Sequence, residues 1–405
     1  MIHPIRDRID ARLLLSILAL TFLGLLSIYS AMHTAGLEQV FQRQLTWVII
    51  GLVALVVTSL VDWKLWRFLA YPIYGASIFS LVLVLLFGRT VYGSTSWLVL
   101  AGLQFQPSEF CKLATVLALA RFLTTPGRSI TIPKDFILAS GFVLLPVILT
   151  MVEPDAGTAL VFLAVYIPIL YWAGASGLFV ASLLSPIVVV VAALIGPAAF
   201  GISIALVLLL LFGLGGIRFS SAFIFAGSAL SGMFVQFIFD RLAPHQQKRI
   251  LTFLNPAVDP LGAGYNIIQA KIAVGSGGLF GKGFLHGTQT QLRFVPKQWT
   301  DFIFCVPGEE FGFVGAILIL ALFAVVLLRG LSIAVTSRNP FAGFVALGIT
   351  SIIGIHVFVN IGMELGLLPV VGIPLPFLSY GGSFFLSTSL MMGLLLNLYA
   401  KRSEY

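Results

Sequence analysis

Residues 253–315 read FLNPAVDPLGAGYNIIQAKIAVGSGGLFGKGFLHGTQTQLRFVPKQWTDFIFCVPGEEFGFVG, a polar, glycine-rich stretch between long apolar runs. This contrast decides the fold class, because the flanking runs have the length of about 20 residues that a membrane-spanning helix needs. The chain has 405 residues, of which 59% are hydrophobic and 9% charged, whereas about a quarter of a soluble domain is charged. The runs are continuously apolar, which excludes the alternating strands of a membrane β-barrel. The sequence therefore predicts an all-α polytopic membrane protein.

The apolar runs predict twelve spans. They lie at about 13–32, 44–61, 66–87, 108–124, 136–152, 157–174, 178–196, 200–214, 219–239, 306–328, 341–363 and 381–400. The first run lacks a small-residue cleavage site, so we expect it to remain as a span. An even number of spans places both termini on one side of the membrane and the long loop, residues 240–305, on the other. The pair over 200–239 is alternatively one broken or re-entrant unit.

The basic residues agree with this threading. The predicted inner loops and ends hold Arg6, Arg8, Arg12, Lys64, Arg67, Arg121, Arg128, Lys134, Arg218, Arg329, Arg338, Lys401 and Arg402. The short outer loops hold only Arg43 and Arg89. By the positive-inside rule, both termini are predicted to be cytoplasmic and the long loop extracytoplasmic. Membrane orientation also explains the formal net charge of +8 without a nucleic-acid partner.

Asp301 is the first candidate for catalysis. It lies in QWTDFIF (residues 298–304), where the long loop returns to the bilayer. Its apolar neighbours partly desolvate the carboxylate, which makes it a candidate proton acceptor. Alternatively, Thr300 or Asp301 caps the following helix. The pattern alone favours capping.

Two further acidic motifs stand at the predicted outer ends of spans. Glu109 and Lys112 in QPSEFCK share one helix face at i, i+3. They form either a functional intramembrane pair or a structural ion pair, and the pattern favours neither. Glu153 and Asp155 in EPDAGT fit an ordinary turn. The alternative is a site shared with Asp301, or a divalent metal.

A polar stripe follows one of the last spans. His356, Asn360 and Glu364 fall at i, i+4 and i+8. A proton or ion path is one interpretation, and hydrogen bonding between helices is the other, slightly favoured one.

Two glycine-rich segments are predicted to be non-helical. PLPFLSYGGS (374–383) is irregular backbone at membrane depth, which is tolerated only against protein or a wet cavity. Ser379, Tyr380 and the amides of Gly381 and Gly382 are candidates to line such a cavity. GSGGLFGKG (275–283) fails the phosphate-loop pattern and is predicted to be a structural turn.

Several of these stretches resemble the SEDS family (shape, elongation, division and sporulation). The matching stretches are QPSEFCK, EPDAGT, NPAVDPLGAGYNIIQAKIAVGSGGLFGKG, TDFIF, EEFGFVG, NIGM and GLLPVVGIPLPFLSYGGS. The longest of them is more similar to the elongation member than to the division member. The resemblance implies a peptidoglycan glycosyltransferase that polymerises lipid II. It also implies about ten core spans, so that residues 197–239 are an inserted helical pair.

The resemblance implies roles for individual residues. Asp301 matches the catalytic Asp of the TDFIF motif, which reverses the preference for capping. Glu109 and Lys112 match the family's PSE..K pair, and Asp155 matches its PD.GT turn. The chain departs from the family at Trp299, where a His is common.

The implied chemistry needs one base, because a lipid pyrophosphate leaves without protonation. The pyrophosphate charge must be neutralised by basic side chains or by a divalent cation such as Mg²⁺ or Mn²⁺. Lys112 is the first basic candidate, followed by Arg89, Lys297 and Arg293. The predicted substrate-binding residues are Glu109, Lys112, Asp155, Lys297, Arg293, Ser379, Gly381 and Gly382.

Two other classes of function remain open. One is a flippase for a lipid-linked sugar, working along the polar stripe, and the other is a scaffold that anchors an enzyme. The outer-edge position of most acidic candidates favours the enzyme. For an enzyme, the resemblance implies the bacterial cytoplasmic membrane, a nascent glycan strand and membrane lipid as contacts. It implies a class B penicillin-binding protein transpeptidase as partner within the elongation complex. We expect crosslinking to come from that partner, because no transpeptidase sequence is evident.

Overall fold

The computed structural model describes residues 9–33, 38–91, 94–100, 103–213, 219–241, 247, 263–296 and 298–402. The helices before the long loop are α1 (Ala11–His33), α2 (Glu38–Leu60), α3 (Trp63–Phe87), α4 (Pro107–Leu123), α5 (Pro133–Val152), α6 (Ala156–Trp172), α7 (Gly177–Ile195), α8 (Pro197–Gly213) and α9 (Phe219–Arg241). Those that follow are α10 (Ala263–Ser276), α11 (Thr288–Gln291), α12 (Cys305–Glu310), α13 (Gly312–Thr336), α14 (Pro340–Glu364) and α15 (Gly382–Ala400).

Each predicted span overlaps a helix. Among the described residues, seven helices are long and apolar enough to cross a membrane: α1, α2, α3, α5, α13, α14 and α15. Shorter apolar helices lie within α6 to α9. The structure confirms an all-α polytopic membrane protein, while the number of twelve crossings stays a prediction.

Local sequence explains where several helices begin. Proline occupies the first turn of α4, α5 and α14, where its missing N–H costs no hydrogen bond. The α3 helix is capped by Asp62, whose Oδ1 accepts a hydrogen bond from the Lys64 amide at 2.9 Å.

A small antiparallel sheet between α3 and α4 was not predicted. Its strands are β1 (Arg89–Val91), β2 (Ser94–Leu100) and β3 (Leu103–Phe105), in the order β1-β2-β3. Arg89 pairs with Trp97, and Leu98 pairs with Phe105. β1 and β3 have three residues each, too few for an alternating pattern, and STSWLVL in β2 does not alternate between polar and apolar residues.

The chain divides into two compact units, residues 1–169 with 266–405, and residues 170–265. In the second unit, Val189, Val207 and Leu211 form a core, and the Ser185 and Ser228 hydroxyls are 2.7 Å apart. The predicted insertion covers α8 and α9. The unit begins earlier because α7 supplies Val189 to the same core.

Contacts within the first unit define two ends. At one end, Asp10 pairs with Arg329 at 2.7 Å and Asp62 with Lys401 at 3.0 Å. At the other end of these helices, the Ser30 hydroxyl donates to Glu310. The ion pairs thus bring together ends of α1, α3, α13 and α15 that the sequence predicts to be cytoplasmic.

The predicted turn over residues 275–283 begins after α10, at residue 277, and is hydrogen-bonded to α12 and to the start of α13. The amides of Lys282 and Gly283 donate to the Glu309 and Glu310 carbonyls, both at 3.0 Å, and the Phe313 amide donates to Gly278 O at 2.9 Å. Gly281 lies where the backbone of this turn meets the backbone of α12, and a Cβ at this position would clash.

We expect Gly281→Ala to destabilise the protein more than Gly278→Ala. Both glycines have positive φ, +80° and +58°, which costs about 1–3 kcal/mol for an L-residue. Only at position 281 would a Cβ also lie 2.1 Å from a backbone carbonyl, that of Glu310; nothing lies within 4 Å at 278. Thermal unfolding in detergent checks this, and equal shifts for the two variants would show that the close approach is unimportant.

Candidate active site

Asp301 lies half-buried on a turn before α12, and the structure contradicts the capping interpretation. The N-cap residue of α12 is Phe304, and no side chain of its own segment caps it. Instead, the carboxylate of Glu364 on α14 accepts hydrogen bonds from the amides of Phe304 at 3.1 Å and Cys305 at 2.7 Å. Neither Thr300 nor Asp301 is needed as a cap.

The irregular segment 371–380 lies against the Asp301 turn. The Ser379 hydroxyl donates to Thr300 O at 2.6 Å, and the Tyr380 amide donates to Trp299 O at 2.8 Å. A Cβ on Gly372, which has a φ of +73°, would lie 3.5 Å from Asp301 Oδ2. The small glycine therefore leaves space beside the carboxylate.

The predicted lining residues of this segment have structural partners. Ser379 is buried, and its Oγ also accepts the Leu375 amide at 2.8 Å. The Gly381 amide donates to Gln44 Oε1 at 3.1 Å. A Cβ on Gly382 would lie 2.2 Å from the Trp47 ring. Substrate contact by Ser379, Gly381 and Gly382 stays a prediction.

Glu109 and Lys112 form a buried ion pair. Lys112 Nζ lies 2.7 Å from Glu109 Oε2 and 3.0 Å from His356 Nε2, and His356 Nδ1 lies 3.0 Å from Pro374 O. Because an ammonium only donates and a carbonyl only accepts, these contacts require a neutral His356 that is protonated on Nδ1. The pair is thereby connected to the segment beside Asp301.

Burial limits what Lys112 can bind in this conformation. Lys112 is 2% exposed and Glu109 is 3% exposed. The adjoining cavity is lined mainly by apolar side chains such as Val116, Val143 and Val161, and its volume is about 10 Å³. That is room for at most one water molecule, so a pyrophosphate does not fit beside Lys112 here.

Asp155 is engaged in turn chemistry, as the ordinary interpretation of EPDAGT predicts. Its Oδ1 accepts the Thr158 amide at 3.0 Å, and its Oδ2 accepts the Thr158 hydroxyl at 2.8 Å and Gln106 Nε2 at 3.3 Å. A Cβ on Gly157 would lie 2.6 Å from Val371 O. This turn therefore packs against the segment that carries Gly372, near Asp301.

Glu153 should make stability depend on pH. Burial, followed by the charge of Asp155, raises the pKa of its carboxyl to about 8 from 4.5, against the opposing effect of a hydrogen bond with Ser96. The folded protein then binds a proton that the unfolded chain has lost between these pH values. Unfolding free energy therefore falls as the pH rises from about 4.5 to about 8.

The expected result is a melting temperature that falls between pH 5 and pH 8 in wild type and falls less in Glu153→Gln, measured in detergent. The glutamine has no titrating proton at this position. Identical pH profiles for both proteins would show that Glu153 is ionised when folded.

The other basic residues predicted to neutralise the pyrophosphate are Arg293, Arg89 and Lys297. Arg293 lies exposed on the turn after α11 with a φ of +59°. Arg89 begins β1, and Lys297 lies outside the described residues. Within the ranges given above, no group of three or more His, Cys, Asp or Glu side chains is placed to hold a metal ion.

The hydrogen bonds of the Glu309 carboxylate were not predicted from the sequence. Its carboxylate accepts hydrogen bonds from Lys282 Nζ and the Gln289 amide, each at 2.8 Å, and from the Thr290 amide at 2.9 Å. It thus holds α11 and the glycine turn together, close in sequence to Asp301.

Comparisons with known proteins agree with this architecture. The model of the FtsW/RodA/SpoVE family, described as cell cycle proteins, matches residues 11–200 and 178–404. The chain is 34% identical to the peptidoglycan glycosyltransferase RodA of Treponema pallidum, over 97% of this chain and 98% of the relative. It is 36% identical to the peptidoglycan glycosyltransferase MrdB of Escherichia coli K12, over 97% of this chain and 94% of the relative.

Comparison with solved structures also finds a protein of peptidoglycan synthesis. A chain in a solved peptidoglycan synthase complex, described as showing the structural coordination of polymerization and crosslinking, is similar with a TM-score of 0.74. The identity is 31%, and the match covers 98% of this chain and 99% of that chain.

Proposed function

This chain belongs to the FtsW/RodA/SpoVE family of cell cycle proteins, and on that premise we propose that it polymerises lipid II with Asp301 as the general base. It is a multi-pass membrane peptidoglycan glycosyltransferase, like the relatives RodA and MrdB, and we propose that it acts in cell-wall elongation.

The observation that carries the proposal is the placement of Asp301. Asp301 is partly exposed, whereas the residues immediately after it, Phe302 and Ile303, are buried. The backbone on which it stands is tied to the 371–380 segment and to α14. A carboxylate that is reachable but fixed in position suits proton abstraction from a bound sugar.

The reaction balances with this one base. The acceptor hydroxyl gives its proton to Asp301 as its oxygen forms a bond to the donor's anomeric carbon. The bond from that carbon to the pyrophosphate oxygen breaks, and the lipid pyrophosphate leaves with the electron pair. No general acid is required, because this leaving group is stable as an anion. The proton on Asp301 is then lost to water.

The leaving group still needs positive charge. Because Lys112 is buried against Glu109, we assign the pyrophosphate contact first to Arg293 and Lys297 in the long loop. Glu109, Lys112 and Asp155 then stabilise the segments that surround the site. Lys112 reaches a phosphate only if α4 and α14 separate. A divalent cation held largely by the pyrophosphate itself, Mg²⁺ or Mn²⁺, would serve the same purpose.

The proposed orientation places both termini in the cytoplasm and the Asp301 end outside. The support is the pairing of Asp62 with Lys401 and of Asp10 with Arg329 at the opposite end of the first unit. Residues 240–305 then form the extracytoplasmic catalytic loop, and residues 197–239 an inserted helical pair. A class B penicillin-binding protein within the elongation complex would crosslink the nascent strand, as the similarity to a complex that coordinates both steps suggests.

Purified protein with lipid II tests the activity. We expect glycan strands and released lipid pyrophosphate, in parallel arms with and without a chelator and the partner transpeptidase. Vesicles that report movement of lipid II between leaflets provide the second readout. Transbilayer movement with no glycan product in any arm would overturn the proposal in favour of a flippase.

A further inference from the structure

The polar stripe of α14 is hydrogen-bonded to two non-helical segments. His356, Asn360 and Glu364 are each at most 1% exposed. All three bond to backbone groups of the Asp301 turn or of segment 371–380. The interpretation slightly favoured from the sequence was hydrogen bonding between helices. His356 does meet Lys112 on α4, but the three side chains bond mainly to backbone of the Asp301 turn and of segment 371–380.

Asn360 joins the two segments directly. Its Nδ2 donates to the carbonyl of Asp301 itself and to the carbonyl of Ile373, both at 2.8 Å. A carboxamide nitrogen carries two N–H groups, so each carbonyl receives one. The reversed amide would place oxygen against two carbonyl oxygens, so these partners fix its orientation. One side chain thereby sets the separation between the backbone of Asp301 and the residue after Gly372.

Glu364 fixes the other side of the same turn. Its two oxygens each accept one of the amides of Phe304 and Cys305. The chain is therefore held at Asp301 and again three residues later. With backbone position fixed at both points, the direction of the Asp301 carboxylate is limited to a few side-chain rotamers.

We propose that Asn360 and Glu364 are positioning residues that hold the Asp301 carboxylate in its reactive geometry. The inference rests on the proposed function, in which Asp301 is the base. A misplacement of about 1 Å lowers a rate by roughly 10²-fold, so loss of these bonds should reduce turnover while the substrate still binds.

The chain offers a matched control in Asn397 on α15. Asn397 is also buried, and its Nδ2 donates to the Ser59 carbonyl at 2.7 Å near the other end of the unit. Asn360→Ala removes two buried amide-to-carbonyl hydrogen bonds, and Asn397→Ala removes one. Both should lower the melting temperature in detergent.

Only Asn360→Ala should change catalysis. We expect its kcat to fall by about 10- to 100-fold with KM for lipid II within about twofold of wild type, whereas Asn397→Ala keeps the wild-type kcat. Asn360→Asp, which keeps the shape but has no N–H donors, should behave like Asn360→Ala. If Asn360→Ala does not fold, Glu364→Gln, which keeps one of the two acceptors, should show the same selective loss of kcat.

Two outcomes separate this inference from the proposed function. An inactive Asp301→Asn together with equal kcat values for Asn360→Ala and Asn397→Ala would overturn the positioning role alone. An active Asp301→Asn would overturn the proposed function, and with it this inference. A selective rise in KM would assign Asn360 to substrate binding and would also contradict the inference.

Discussion

Asp301→Asn is expected to fold like wild type and to polymerise lipid II at least about 10²-fold more slowly, since a positioned general base contributes roughly 10²–10⁴-fold. The amide has nearly the shape of the carboxylate but cannot accept the acceptor-sugar proton. The turn itself should persist, because Asn360 bonds to the backbone carbonyl of Asp301 and not to its side chain. The measurement is glycan-strand formation from lipid II by purified protein.

A matched carboxylate provides the control. Asp62 caps α3 and pairs with Lys401 at the opposite end of the unit. Asp62→Asn loses the ion pair but keeps an oxygen that can cap the helix, so its polymerisation rate should stay near that of wild type. Equal activity of Asp301→Asn and Asp62→Asn would remove Asp301 from the mechanism.

Lys112→Met is expected to cause the largest loss of stability, about 3–5 kcal/mol by analogy with other buried pairs that lose one partner. The substitution leaves the Glu109 carboxylate buried with no cation and leaves His356 Nε2 without its donor. Thermal unfolding in detergent, supported by the yield of folded protein, measures the effect.

The double variant Glu109→Gln with Lys112→Met should recover much of that loss. It removes both charges together, and replacing a whole buried pair by groups of similar size is often close to neutral. A double variant that is no more stable than Lys112→Met would show that the buried charge of Glu109 is not the cause of the loss.

Continuous apolar runs were enough to predict the long apolar helices, because a bilayer requires about 20 apolar residues for each span. Polar motifs near the ends of those helices also identified the surroundings of Asp301. The glycine turn was predictable from composition, since several of its residues need positive φ. The structure adds how close the turn lies to the backbone of α12.

Local partners such as Lys112 for Glu109 were predictable from spacing, whereas partners from distant parts of the chain were not. Capping by Asp301 was the simpler local hypothesis, yet Glu364 supplies the cap from another helix. Lys112 was predicted to meet phosphate, but its partners include a histidine on α14. The i, i+4, i+8 spacing did reveal which face of α14 is polar, although not which segments it holds.

We place the chemistry at Asp301 on the outer face of the membrane. The most direct test is labelling of Asp301→Cys in intact cells with a membrane-impermeant maleimide. The native Cys111 and Cys305 are fully buried and should stay unlabelled, and Asp62→Cys serves as the cytoplasmic reference. We expect Asp301→Cys to be labelled from outside and Asp62→Cys to be labelled only after permeabilisation. Labelling of Asp62→Cys but not Asp301→Cys in intact cells would contradict this placement of Asp301.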